Sequence, residues 1–208
     1  MPTINSGSKE IQFKIVYYGP ALGGKTSNLV YIHSRMAPAC RGDLVSLATA
    51  ADRTLFFDFL PINAVTLHGF KMKFQLYTVP GQVIYNSTRQ LVLRNVDGIV
   101  FVADSQWEKM EENVFSIRNL EQNLQKQNLS LERVPTVLQY NKRDLSNVAP
   151  LNYLEYLLNN RKRRLQSFET VASIGRNVFA SLDAVTQLLL HKFQKENAQV
   201  IPGTAVSP

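Results

Sequence analysis

Gly19-Pro20-Ala21-Leu22-Gly23-Gly24-Lys25-Thr26 has the spacing G-x-x-x-x-G-K-[ST]. Before it, Ile11-Gln12-Phe13-Lys14-Ile15-Val16-Tyr17-Tyr18 is dense in β-branched and aromatic residues and reads as a strand, and a helix is expected from Thr26 to about Met36. Strand, glycine-rich turn and helix in that order separate a phosphate loop from a chance glycine-rich turn. The glycines let backbone N–H groups turn inward around phosphates, and the helix amino-terminus adds positive potential. Lys25 would bring a point charge to the β- and γ-phosphates, the Thr26 hydroxyl would ligate Mg²⁺, and Ser27 follows on the first helical turn.

Outward from this loop the chain alternates strand and helix. Thr54 to Leu60 and Lys71 to Val79 flank a connection containing Pro61 and Gly69, and are expected to pair as an antiparallel hairpin. Gly98 to Ala103 and Pro135 to Tyr140 are short, nearly continuous apolar runs, as for strands covered on both faces. Met110, Val114, Ile117, Leu120 and Leu124 fall at helical spacing, and Val178, Leu182, Val185 and Leu189 form a second such stripe after a last strand from Ser167 to Ala172. The expectation is an α/β fold: a mostly parallel six-stranded sheet with one antiparallel hairpin strand, helices on both faces, and ligands beyond the carboxyl ends of the strands. Residues 1–197 would form one domain, and 198–208, with small residues, two prolines and no periodicity, a flexible tail.

Bulk properties narrow the partners. The 208 residues suffice for a core without metal or disulfide staples, and the single cysteine, Cys40, cannot pair internally. No leader or membrane-length apolar run is evident, Met1-Pro2 lacks a myristoylation glycine, and Ala205-Val206-Ser207-Pro208 lacks a prenylation cysteine. A cytoplasmic protein without a stable membrane anchor is expected. The net charge of +7 raises nucleic acid or an acidic membrane surface as partners, with Arg161-Lys162-Arg163-Arg164 either a binding patch or a solvated loop. Without zinc spacing, aromatic stacking pattern or helix-turn-helix signature, no nucleic-acid partner is expected. No heptad repeat or long exposed apolar stripe is evident, so the chain alone is expected to be a monomer.

The base-reading element is Asn141-Lys142-Arg143-Asp144, an N-K-x-D pattern directly after a buried-type strand. The Asp144 carboxylate can accept two parallel hydrogen bonds, matching the adjacent N1–H and N2–H₂ donors of guanine; adenine has no such pair. An ATP-using P-loop enzyme is therefore disfavoured.

With both motifs in place, the sequence resembles the small Ras-like GTPases, whose P-loop G domain binds GTP or GDP. Arg53-Thr54-Leu55-Phe56-Phe57-Asp58-Phe59-Leu60-Pro61 and Tyr77-Thr78-Val79-Pro80-Gly81-Gln82 are similar to the bacterial MglA family in particular, from about Glu10 to Phe193. The resemblance implies that Ala172, between Val171 and Ser173, offers its N–H to the guanine oxygen, that Lys142 lies along the base, and that Asn141 ties the base loop to the P-loop. It implies that Gln82 orients the attacking water, that Gly81 senses the γ-phosphate, and that Thr54 joins Thr26 on Mg²⁺. Arg53 resembles an arginine finger supplied from within the chain. A roadblock-fold activating protein of the MglB type, motility or polarity effectors, and recruitment to a cell pole when GTP-bound are also implied. Phe56 and Phe57 read either as plain strand core or as residues that change sides on activation.

Two residues depart from the wider Ras-like pattern. Thr78 stands where an aspartate is usual, so Mg²⁺ is either held less firmly or served by Asp58; Ala21 stands where glycine is usual, its methyl directed at the space needed by Gln82 and Arg53. Slow hydrolysis is expected, and a module that signals by GTP or GDP occupancy, with negligible turnover, is the alternative.

Overall fold

The computed structural model describes residues 2–48, 54–67, 69–82 and 85–197. In chain order the elements are β1 (Thr3–Asn5), β2 (Glu10–Tyr18), α1 (Lys25–Arg35), β3 (Val45–Ala48), β4 (Thr54–Leu67) and β5 (Phe70–Thr78). These are followed by α2 (Asn86–Val92), β6 (Gly98–Asp104), α3 (Met110–Gln125), β7 (Thr136–Asn141), α4 (Leu151–Leu158), β8 (Gln166–Glu169) and α5 (Val178–Glu196). The sheet runs β3-β4-β5-β2-β6-β7-β8, with β1 also paired to β2. β5, β2, β6, β7 and β8 are mutually parallel.

Helices cover both faces. Ile11, Phe13, Ile15 and Tyr17 of β2 pack with Leu29 and Ile32 of α1 and Val178, Val185 and Leu189 of α5. Val16 and Tyr18 of the same strand pack on the other face with Val92 of α2, Ile117 and Leu120 of α3 and Leu154 of α4. This is the period-2 division of a strand buried on both sides.

Four expectations need correction. The sheet has eight strands among the described residues, not six, because β1 and β3 add short antiparallel edges. These pieces of three and four residues are too short for a periodicity to show. Second, Pro61 does not lie in the hairpin connection: β4 continues through it to Leu67, and Pro61 pairs with Gln75. The regular β3 ladder ends at Val45 opposite Phe59, and beyond it the neighbouring chain meets β4 through the Gly42 N–H on the Pro61 carbonyl and an Arg41–Ile62 bridge, so the proline's missing donor falls outside the regular ladder. Third, the last strand ends at Glu169 rather than Ala172, because Val171 turns back to bridge Arg176. Fourth, α2 and α4 were not anticipated; they have seven and eight residues, barely two turns.

Residues 198–208, expected as a tail, lie outside the described residues. Among the described residues no helix is long and apolar enough to cross a membrane.

Candidate functional site

β2 is the strand at which the chain order reverses. It leads into α1 on one face, whereas its neighbours β5 and β6 lead into α2 and α3 on the other, so a crevice opens beyond its carboxyl end, and residues 19–24 lie there. Gly24 has φ +101, and a side chain there would begin 2.1 Å from Asn141 Nδ2, so both the backbone conformation and the close approach call for glycine. The crevice holds a cavity of about 870 Å³, walled by Pro20 to Ser27, by Val79, Gly81, Gln82 and Arg89, and by the first turns of α3.

Lys25 opens α1 and is buried. Its ammonium donates to the carbonyls of Gly19 at 3.0 Å and Pro20 at 2.6 Å. Burial, reinforced by the nearby Arg89 charge and only partly offset by Asp58, pushes its pKa down to about 7.

One residue on, the Thr26 hydroxyl donates to Asp58 Oδ2 at 2.6 Å. The same oxygen accepts the Thr78 hydroxyl at 2.8 Å, and Thr78 Oγ1 accepts the Asp58 N–H at 2.9 Å. Ser46 Oγ donates to the other carboxylate oxygen. The carboxylate usual at position 78 is thus supplied from the adjacent strand, with Thr78 holding it, which favours Asp58 as the substitute. Among the described residues no three or more His, Cys, Asp or Glu gather to hold a metal by themselves. A hydroxyl backed by one buried carboxylate is nevertheless a set of hard oxygens that fits Mg²⁺, which takes few protein ligands and completes its shell with phosphate and water.

Gly81 presses on the phosphate loop: a Cβ there would lie 2.3 Å from Ala21 Cα and 2.4 Å from Ala21 N. Arg89 of α2 sets this position. Its fully buried guanidinium donates to the carbonyls of Pro80 at 2.9 Å, Gly81 at 2.5 Å and Gln82 at 3.0 Å, and to Asn119 Oδ1 at 2.8 Å. Asn119 and Asn123 of α3 extend the network to the Tyr18 hydroxyl and to Asn86. An arginine in an ordinary helical segment gives no signal of this, so sequence reasoning missed Arg89, Asn119 and Asn123.

At the other end of the crevice, Asn141 Nδ2 donates to the Gly23 carbonyl at 2.8 Å, and Asn141 Oδ1 accepts the Ala172 N–H at 2.9 Å and the Thr170 hydroxyl at 3.2 Å. The expected tie between base loop and P-loop is therefore present in the geometry. The Ala172 N–H, assigned by resemblance to a guanine oxygen, is here engaged by Asn141. Lys142 turns with φ +66 and pairs with Asp104 Oδ2 at 2.6 Å. Asp144 is exposed beside it. Val171 and Ala172 are buried and Ser173 is exposed. None of the base-loop residues lines the cavity, which is the phosphate end of the crevice. Arg53 lies outside the described residues, as does the Thr54 side chain; Thr54 opens β4. Phe57 is half-buried against Tyr77, with ring centroids 5.8 Å apart, and the Phe56 side chain lies outside the described residues.

Comparison with known proteins agrees with this geometry. A family model described as the ADP-ribosylation factor family, Arf, matches residues 58–189. The chain is 50% identical over 195 residues to the mutual gliding-motility protein MglA of Myxococcus xanthus (strain DK1622), covering 94% of this chain and 99% of that protein. The chain belongs to the MglA family of Ras-like small GTPases. It is accordingly a GTP-binding, GTP-hydrolysing switch, acting through regulatory and effector partners. Within this MglA-family chain the sequence motifs converge on one crevice, while the contacts that hold Gly81 and Gln82 come from residues outside any motif.

Two outcomes follow from buried charge. Arg89→Ala strips one donor fork from three carbonyls and should lower the unfolding free energy by about 3 kcal/mol. It should also speed amide exchange over residues 80–90, and Arg89→Lys should restore only part because it offers a point charge, not a fork. Urea unfolding and hydrogen exchange check this, and unchanged stability would show that those carbonyls find other donors. Lys25 provides the second. Its pKa of about 7 in the folded chain lies below a lysine's ordinary 10.5, so between these values the unfolded chain binds more protons. Stability of the nucleotide-free protein should therefore rise with pH across that window. Phosphate requires the charged lysine, so nucleotide binding should take up close to one proton at about pH 8.5 and almost none at about pH 6. Titration calorimetry in buffers of different ionisation enthalpy measures the uptake.

Proposed function

We propose that the crevice works as the nucleotide site of a polarity or gliding-motility switch, with its phosphate and base grips aligned by Asn141. The observation that carries this reading is the bridge from the Asn141 amide to Gly23 on one side and to Ala172 and Thr170 on the other. It couples the loop suited to phosphates to the loops suited to guanine. Gly19 to Ser27 would cradle the phosphates, Lys25 would pair with the β- and γ-phosphates, and Asp144 would select guanine, with Lys142 along the base and Val171 to Ser173 on its rim. The G domain would comprise residues 1–197.

Mg²⁺, when bound, would neutralise phosphate charge; Thr26 and Thr54 would hold it and Asp58 would orient that set. Gln82 would orient the water that attacks the γ-phosphorus, and the bond to the β–γ bridging oxygen breaks to leave GDP and phosphate. Arg53 would offset charge developing on the transferred phosphoryl group. Gly81 approaches Ala21 so closely that a Cβ would not fit between them, and a γ-phosphate placed there would displace it, so the 81–89 segment would be suited to report the nucleotide state. A roadblock-fold activator of the MglB type would order Gln82 and Arg53, and motility or polarity effectors would read the GTP form, with recruitment to a cell pole. The curated relative's name, mutual gliding-motility protein, supports that cellular role.

Asp144→Ala should lower guanine-over-adenine preference by at least about a hundredfold, since an unpaired polar edge discriminates strongly. Competition of GTP and ATP for the folded protein measures it, and an unaltered preference refutes the assignment of Asp144. Ala21→Gly should raise the single-turnover hydrolysis rate by about tenfold, because ~1 Å in the position of the water can change rate by up to about a hundredfold. Equal rates in the two proteins would remove Ala21 from the mechanism.

A further inference from the structure

The switch face occupies the carboxyl ends of the parallel strands. At the opposite end, where the strands begin, the loops share a different character. Lys9 precedes β2 and its carbonyl accepts the N–H of Lys71 at the start of β5. Arg94 follows α2, and its carbonyl accepts the Lys14 ammonium at 3.0 Å. Arg133 precedes β7, and its carbonyl accepts Lys192 of α5 at 2.8 Å. These contacts join β2 to β5 and to the end of α2, and the start of β7 to the last turns of α5. Lys126 follows α3, Lys195 lies in the last turn of α5, and the 161–164 run leads into β8, whose Gln166 pairs with Val137 near the start of β7.

Most carboxylates at this end are already engaged by cations, while exposed Glu132, beside Arg133, is hydrogen-bonded by Ser130. Glu10 pairs with Lys73 at 2.7 Å, Glu121 with Arg161 at 2.7 Å, and Glu196 with Lys192 at 3.8 Å. Asp97 is half-buried and accepts the Lys14 N–H. By contrast Lys126, Arg133 and residues 162–164 are exposed, and none makes a salt bridge among the described residues. At the switch end acidic and basic residues alternate, with Asp58, Asp104, Glu108, Glu111, Glu112, Asp144 and Glu169 among Lys25, Arg89, Lys109, Lys142, Arg143 and Arg176, whereas bases outnumber acids at the far end.

We infer that this end docks reversibly on an anionic lipid bilayer, holding the switch face toward the aqueous side. Separate loops spread the cations over one end of the domain, without a groove or a projecting helix to enter a nucleic-acid groove. Leu91, one turn before Arg94, is 58% exposed, and Tyr156, near the end of α4, is 70% exposed. Apolar and amphipathic side chains flanking a cationic surface suit the headgroup region of a membrane. Each cation near such a surface multiplies partitioning by about fivefold, so the interaction is cumulative and salt-sensitive, with no lipid anchor needed.

Flotation of the full chain, loaded with GDP or GTP, on vesicles of phosphatidylglycerol and phosphatidylcholine tests the inference. Bound protein should rise with the phosphatidylglycerol fraction, be absent on pure phosphatidylcholine, and be lost at roughly 0.5 M salt. The triple variant K162E/R163E/R164E should bind roughly a hundredfold less while keeping its guanine-nucleotide affinity, which shows that it is folded. Absence of flotation, equal binding to neutral vesicles, or an unaffected triple variant overturns the inference. So does tighter capture of duplex DNA or RNA than of phosphatidylglycerol vesicles with the same sensitivity to the triple variant. The inference does not depend on the nucleotide chemistry: loss of vesicle binding with intact GTP affinity leaves the switch reading in place.

Discussion

One side-chain amide holds the crevice together. Asn141 ends β7, and its two polar atoms face different loops: the nitrogen meets the Gly23 carbonyl, and the oxygen meets the Ala172 N–H and the Thr170 hydroxyl. The residue is 2% exposed, so these bonds form away from water, where an unmade one is expensive. Gly24 passes so close to the same amide that no side chain fits there. Three loops widely separated in sequence are thereby tied to one another at a single buried amide.

The two halves of the crevice are built differently. The base half rests on strand ends and the Asn141 bonds, with exposed Asp144 at its rim. The phosphate half stores buried positive charge: Lys25 held by two carbonyls, and Arg89 held by three carbonyls and an asparagine. Carbonyl oxygens satisfy the donors of these cations without neutralising them. Burial, reinforced by the nearby Arg89 charge, depresses the pKa of Lys25, and an anionic ligand such as phosphate would restore the charged form. Arg89 additionally ties α2 to the loop that carries Gln82 through its bonds to the carbonyls of Pro80, Gly81 and Gln82.

Much of this was legible in the sequence, and the unread part has physical causes. Glycines, Lys25, Thr26 and the N-K-x-D run announce themselves because phosphate and guanine demand particular atoms at fixed spacing, and strands buried on both faces show as apolar runs. The edges β1 and β3, and the short helices α2 and α4, carry too few residues to establish a period. The continuation of β4 through Pro61 was hidden because its tolerance depends on where β3 stops, a tertiary fact. Arg89, Asn119 and Asn123 have no motif because their role arises from where α2 and α3 cross, which spacing along the chain does not encode.

The displaced carboxylate shows how the strand pattern and the chemistry are joined. Asp58, Leu60 and Ile62 alternate along β4, and Leu60 and Ile62 pack into the core shared with α1, so alternation delivers Asp58 to the first turn of that helix and to Thr26. Phe57 and Phe59 take the other face and meet Tyr77. Because the side-chain period is two, sliding β4 by one residue against β5 would put a phenylalanine beside Thr26 and carry the carboxylate to the opposite face. An aspartate on β5, held between β4 and β2, would be indifferent to such a slide. Placing the carboxylate on β4 and leaving threonine at 78 to receive it makes the oxygen set at Thr26 depend on the register of two antiparallel strands, so a cation held there would be coupled to strand pairing through a single side chain.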